Sequence, residues 1–325
     1  MNQDLKAKYH NYKKWLRERH LDKQTWVLNW DLQKKQFAEF GTGDSLFFTG
    51  ILLTALAIEK NAAEFNALLQ AINRQKFAKG MYPRYTNKFS TSKDQYYPLI
   101  LALVYATLTF PDNTLAKDTL REIVEAVKAN GYALKNPDGS GTTYGDMRGF
   151  KPIFGLIEGG AALGYYLSLG VLPGYSAFIY ISEKSYYNNF MIGCQYLMYH
   201  LFVKNNFERW SLQRSIKRFA GINKNNPFFL MVSDLISRSK SHQAEVEKIL
   251  EIFSPEHLPN DLDEIAHSDV LWQRDPRNWA NAKAALVHEY AGIDYMALYQ
   301  FYERFYVAGE KLSFRGPRRR GRGII

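Results

Sequence analysis

Four aspartates of this chain stand at the same kind of place, the polar opening of an apolar run. Asp44 precedes LFFTGILLTALAI (46–58), and Asp94 with Gln95 precedes YYPLILALVYATLTF (96–110). Asp146 precedes KPIFGLIEGGAALGYYLSLG (151–170), and Asp294 precedes YMALYQFYERFYV (295–307). Carboxylates that converge from separate segments suit the hydrolysis of an acetal. Two of them flank the sugar bond, one protonated as general acid and one ionised as base or nucleophile. Asp94 is the expected acid, because desolvation at the mouth of the most apolar run favours its protonated form, although a helix N-terminus pulls the other way. Asp294 or Asp44 is the expected partner. Arg84, Gln95, Asp146, Arg148, Trp272, Arg274, Trp279 and Tyr290 are the expected substrate contacts, and Tyr82 and Tyr85 are further flat surfaces for sugar rings. The competing reading of each aspartate is a helix cap.

Such residues meet only if the elements behind them bring them together. Two more apolar runs have polar openings: Tyr187, Asn188 and Asn189 precede FMIGCQYLMYHLFV (190–203), and Asn225, Asn226 and Pro227 precede FFLMVSDLI (228–236). Helices apolar on every side are buried on every side. The openings recur at intervals of roughly 40 to 65 residues, a range compatible with paired-helix repeats. Amphipathic stretches at 62–74, 113–130, 207–220 and 241–252 alternate with the apolar ones, and Gly131 stops the second of them. Ser92 and Gln95 spell a capping box. Pro98 predicts a kinked first turn, or a regular helix that begins nearer Tyr97. Leu5, Tyr9, Tyr12 and Leu16 mark a surface helix within residues 1–24. Trp26, Leu28 and Trp30 alternate as a short extended arm near 25–31. The turn-rich stretch 135–150 reads as a loop or lid. The expected fold is all-α, a ring of hairpins with parallel inner helices and covering outer ones.

The series Asp44, Asp94, Asp146, Asn189, Asn226 and Asp294, taken as successive inner-helix openers, resembles the (α/α)6 toroid of the six-hairpin glycosidases and related polysaccharide lyases. The resemblance is architectural and covers about residues 25–307. It implies a carbohydrate-active enzyme, a glycoside hydrolase first, with an oligo- or polysaccharide as partner and no cofactor. A lyase would use Arg84 or Arg148 to neutralise a uronate and Tyr290 or His288 as base. Related toroids serve terpenoid cyclases and prenyltransferases, whose acidic repeat and zinc ligands are not evident in this sequence. Gly43, Asp44, Ser45 and Leu46 also spell the nucleophile block of the GDSL esterases. The residues before them (QFAEFGT) make a poor buried strand, so capping is the better use of Asp44 and Ser45.

Composition supplies the other reading. Of 325 residues 46% are hydrophobic and the mean hydropathy is −0.35, which fits a globular domain at 1–314. The longest uncharged runs, about 15 residues, fall short of the ~20 a membrane span needs. No His, Cys and carboxylate cluster has metal-site spacing. Cys194 is the single cysteine, and its apolar helix marks it as a buried thiol. The net charge is +10, with a basic face on the first helix and an Arg/Gly tail at 315–325, opening at Arg315 and closing at Ile325. Such a tail suits an acidic partner, protein or nucleic acid. The alternative expectation is therefore a non-catalytic component of a larger assembly, such as a virion or other macromolecular complex, docked through its basic ends. The expected location is cytoplasmic or otherwise non-secreted, since the N-terminus lacks the pattern of a signal peptide.

Overall fold

The computed structural model describes residues 3–22, 26–28, 30–31, 34–37, 45–86, 90–148, 186–202, 206–222, 226–252, 288–289 and 292–310. These are mostly helical, with a few short strands, so the all-α expectation holds. The helices are α1 (Gln3–Trp15), α2 (Ser45–Glu59), α3 (Ala62–Asn73), α4 (Lys93–Thr109), α5 (Thr114–Ala129), α6 (Tyr186–Phe202), α7 (Asn206–Ile222), α8 (Pro227–Ser237), α9 (Gln243–Ile252) and α10 (Ile293–Tyr302). Single π-helical turns, Leu16–His20 and Glu303–Val307, extend α1 and α10.

The apolar runs become the buried helices. Every residue of α2 but the last is buried, as is nearly all of α4, because neither sequence offers a polar stripe to solvent. Contacts among the buried helices form a closed cycle, α2–α4–α6–α8–α10–α2. Their directions agree. The N-terminal halves of α2, α6 and α8 share aromatic contacts, Phe47 with Phe190 at 5.4 Å and Phe190 with Phe228 at 5.0 Å between ring centroids. The C-terminal halves of α4 and α10 share Tyr105 and Phe301 at 5.7 Å. Just beyond α10, Arg304 donates to the Ile58 carbonyl at the end of α2 (3.1 Å).

Two successive hairpins, α2–α3 and α4–α5, touch with a nearly constant offset. Phe47 meets Gln95 (48 residues on), Asn66 meets Asn113 (47), and Asn73 meets Thr119 (46). Lys76–Glu122 and Lys79–Glu125 extend the series at 46. Their outer helices also start alike: Asn61 caps α3 by accepting from the Glu64 N–H, and Asn113 caps α5 by accepting from the Ala116 N–H. Helix α1 lies across α10, stacking Tyr9 on Tyr299, and ties to the α2–α3 corner through Lys13 and Glu59 (2.8 Å).

Of the expected arm, residues 26–27 and 30–31 form short strands. β1 (Leu21–Asp22) pairs antiparallel with β2 (Trp26–Val27), and β3 (Trp30–Asp31) pairs with β4 (Gln36–Phe37) and β7 (His288–Glu289). The stretch read as a loop or lid is an antiparallel hairpin of β5 (Ala133–Lys135) and β6 (Gly141–Asp146). Asn136 and Gly139, the latter at φ +79°, make the tight turn that joins them. The third apolar run, 151–170, lies outside the described residues.

Candidate functional site

Building the site means asking how α4 begins. Ser92 is the N-cap by position, but its side chain makes no capping bond. The Ser92 hydroxyl instead accepts from Arg84 Nη2 (2.6 Å) and donates to Asp94 Oδ1. Gln95 donates from Nε2 to Asp94 Oδ2 (3.0 Å) and accepts the Phe47 N–H at Oε1 (2.9 Å). The capping-box spelling is thus used differently: Ser92 bonds Arg84 of the preceding segment and Asp94, while Gln95 bonds Asp94 and reaches across to the Phe47 N–H of α2. The first turn of α2 has N–H groups without intrahelical partners. Leu46 N–H goes to the Arg84 carbonyl (3.0 Å) and Phe47 N–H to Gln95, so the entrances of two helices are stitched by one buried network.

Asp94 lies at its centre, 3% exposed, with both oxygens accepting. The β5–β6 hairpin is fastened over the same entrance. Thr142 Oγ1 donates to the Thr91 carbonyl (2.7 Å), and Asn136 Oδ1 accepts the Thr91 N–H (3.3 Å). At the end of β6, Asp146 and Arg148 form an exposed two-toothed ion pair, with Nε to Oδ1 at 2.9 Å and Nη2 to Oδ2 at 2.6 Å. Arg148's hydrogen bonds hold the Asp146 carboxyl down at about 2. Arg84, Asp94, Gln95, Asp146 and Arg148 therefore all stand at or beside the start of α4.

Asp294 is also buried, 2% exposed, in the first turn of α10, where Oδ1 accepts the Tyr295 N–H (2.9 Å). It enters by a glycine turn: Gly292 is left-handed at φ +64°, and an added Cβ would come within 2.9 Å of the Tyr12 ring. Asp44, Trp272, Arg274, Trp279 and Tyr290 lie outside the described residues. Tyr82 is fully buried, its N–H on Tyr96 Oη (2.7 Å) and its own hydroxyl on Asn73 (2.7 Å), so its ring offers no face to a sugar. Tyr85 stands edge-on to Trp26 and donates to Asp22. Cys194 is fully buried, and burial pushes its thiol well above the usual range. Among the described residues no three His, Cys, Asp or Glu side chains could share a metal ion.

Two features lie away from this entrance. Asp234, in α8, is a fully buried carboxylate that accepts five hydrogen bonds. The donors are Ser239, Ser241, Tyr306 and both the backbone N–H and the Nδ1 of His242. A lone aspartate in FFLMVSDLI followed within eight residues by RSKSH was the sequence signal for it: a buried carboxylate demands donors, and the nearest polar cluster supplies them. The second is an open cleft of about 800 Å³ between α3, Leu21 and α2, floored by Leu52, Leu56 and Leu68 and edged by Arg17 and Arg74. None of the residues proposed from sequence lines it. Comparison of the chain with protein-family models, with curated proteins and with solved structures found no match.

Proposed function

We propose that the chain is an α/α toroid that serves as a non-catalytic binding component of a larger assembly. The closed cycle of parallel buried helices and the steady 46-to-48-residue offset between successive hairpins support the toroid. The observation that carries the non-catalytic reading is the commitment of Asp94. A general acid must lie within hydrogen-bond reach of the leaving oxygen with a proton to give. Both Asp94 oxygens instead accept from Ser92 and Gln95, inside a network that stitches α2 to α4, with a hairpin fastened above it. The carboxylate is used up in holding the entrance together. Docking is left to the basic surface of a chain with net charge +10.

The glycoside hydrolase reading makes the opposite demand on the same residue, and this gives the test. Wild type and Asp94→Asn are incubated with a panel of oligo- and polysaccharides while urea unfolding is followed in parallel. We expect no cleavage by either protein. We also expect Asp94→Asn to lose about 2 kcal/mol, since its amide nitrogen would face the Gln95 Nε2 donor and leave a buried group unsatisfied. Gln95 cannot turn over to help, because its oxygen holds the Phe47 N–H. Any glycan cut by the wild type would overturn the proposal, and one then spared by Asp94→Asn would assign the acid's role to Asp94.

A further inference from the structure

We infer that the exposed face of α7 binds single-stranded nucleic acid. Trp210, Arg214, Lys217 and Arg218 fall at spacings of four, three and one along α7, so they share the face opposite its buried Leu212, Ile216 and Phe219. Trp210 is a large aromatic at 54% exposure, which a core would normally cover. The Arg214 guanidinium sits 5.8 Å from its ring centroid. Arg209 and Arg238 add charge at the same corner, where Gln213 donates to the Ile236 carbonyl at 3.4 Å and so sets α7 against the end of α8. Burial, and then the charge of Arg238, lowers the proton affinity of the Arg209 guanidinium.

The balance of charge is the second argument. Several cations elsewhere are matched by acids: Lys13 with Glu59, Lys76 with Glu122, Arg304 with Glu310. Among the described residues no acid pairs with Arg209, Arg214, Lys217, Arg218 or Arg238. An unopposed cationic face attracts polyanions in general. The exposed indole narrows the choice, because bases stack on aromatic faces and every base has one, whereas a sulfated polysaccharide gains nothing comparable. From Trp210 to Arg218 the face runs about 12 Å, enough for a few nucleotides.

The inference rests on the reading of the chain as a binding component docked by its basic surface, and it names the partner's chemistry. The test is the fluorescence anisotropy of labelled oligo(dT) of twenty nucleotides with the full chain, over a range of salt. Trp210→Ala should weaken oligonucleotide binding roughly five- to hundredfold, the effect of one lost base stack, with the salt slope unchanged. Neutralising Arg214, Lys217 and Arg218 together as glutamines should flatten the log–log salt slope by about 2. Neither change should alter helix content, since all four side chains project outward. Heparin should bind Trp210→Ala as well as it binds wild type. No oligonucleotide binding by wild type, or full binding by both variants, overturns the inference, the second result by placing any binding elsewhere, the tail at 315–325 included. An indole effect on heparin equal to that on the oligonucleotide overturns it in favour of a general polyanion site. None of these outcomes touches the non-catalytic reading, which falls on glycan cleavage by the wild type.

Discussion

Asp234→Ala should cost about 5 kcal/mol in urea unfolding, at the upper edge of what single substitutions do. The carboxylate is fully buried near the end of α8. Its Oδ1 accepts from Ser239 Oγ (2.7 Å), Ser241 Oγ (2.8 Å) and His242 Nδ1 (2.9 Å). Its Oδ2 accepts from the His242 N–H (2.9 Å) and Tyr306 Oη (2.7 Å). These donors belong to the turn between α8 and α9 and to the π-turn after α10, so one side chain joins three segments. Bonds to a charged acceptor are worth about 1.5–3 kcal/mol each, but they share one acceptor and do not add. Ser241 is exposed and can return to water in the variant. Tyr306, 2% exposed, cannot, and it is left an unsatisfied buried hydroxyl.

The same residue fixes a pH dependence. Burial alone would raise the Asp234 carboxyl, but hydrogen bonds from the His242 N–H, Ser239, Tyr306 and Ser241 outweigh it, and the net shift is downward. A carboxylate depressed by folding adds stability that is present above its unfolded value, about 3.9, and is lost as pH falls through its folded value. Burial and Asp234 push the Tyr306 phenol far up, so it stays a donor throughout. The stability gap between wild type and Asp234→Asn should therefore be constant from neutral pH to about 5 and narrow below about 4. A gap that widens on acidification would mean that the bonds favour the neutral carboxyl.

The helices were legible because apolar runs of this length, with no polar stripe, have nowhere to go but inward. Asn113 and Asn226 were legible as caps or openers for the same reason that they work: a short carbonyl side chain beside the first free N–H groups. Ser92 and Gln95 marked the start of α4 correctly, at Lys93, but not through the bonds of a capping box. The capping box is a local pattern, and here the two side chains find partners beyond the turn, Ser92 in Arg84 of the preceding segment and Gln95 in Phe47 of α2, which local spacing cannot reveal. Residues 135–150 read as a loop or lid because their sequence, Gly-, Asp- and Thr-rich, carries turn signals without apolar alternation, and the hairpin of 133–146 falls largely within them. Its strands are held by pairing with each other, by Thr91, and by Leu134 and the following Met147, which are buried in the core. Asp94 and Asp294 were placed correctly at helix openings, yet nothing in the sequence distinguishes a carboxylate that faces a pocket from one that knits two helices. That difference lies in the bonds around it: Asp94 accepts from Ser92, itself held by Arg84, and from Gln95, itself bonded to Phe47 of α2, whereas Asp294 accepts from the Tyr295 N–H of its own helix start.

The joint between α2 and α4 also explains why Pro98 does not delay the helix to Tyr97. α4 runs unbroken from Lys93 to Thr109 with Pro98 inside it. Gly50 of α2 lies against this point, where a Cβ would sit 2.7 Å from the Leu99 nitrogen, 3.0 Å from the Pro98 carbonyl carbon and 3.1 Å from Pro98 Cβ. Thr54 Oγ1 bridges the same crossing, 3.0 Å from the Gly50 carbonyl and 3.4 Å from that of Pro98. Backbone atoms of a buried helix cannot yield as a flexible side chain does. Gly50→Ala should therefore lose about 3 kcal/mol, the cost of overpacking, although alanine alone favours a helix over glycine by about 1 kcal/mol. The exposed Gly221, near the end of α7, has nothing within 4 Å of its virtual Cβ and supplies the control. Gly221→Ala should be neutral to stabilising by up to about 1 kcal/mol, as propensity alone dictates. The opposite signs separate close backbone contact from intrinsic helix preference, and both are read as urea midpoints at constant slope. The shift should also strain the Gln95–Phe47 bond, so amide exchange of Phe47 should speed up in Gly50→Ala more than exchange in α9, which lies away from the crossing. If Gly50→Ala is as stable as wild type, α2 and α4 do not meet backbone to backbone, and the parallel pairing that organises the buried helices loses its tightest contact.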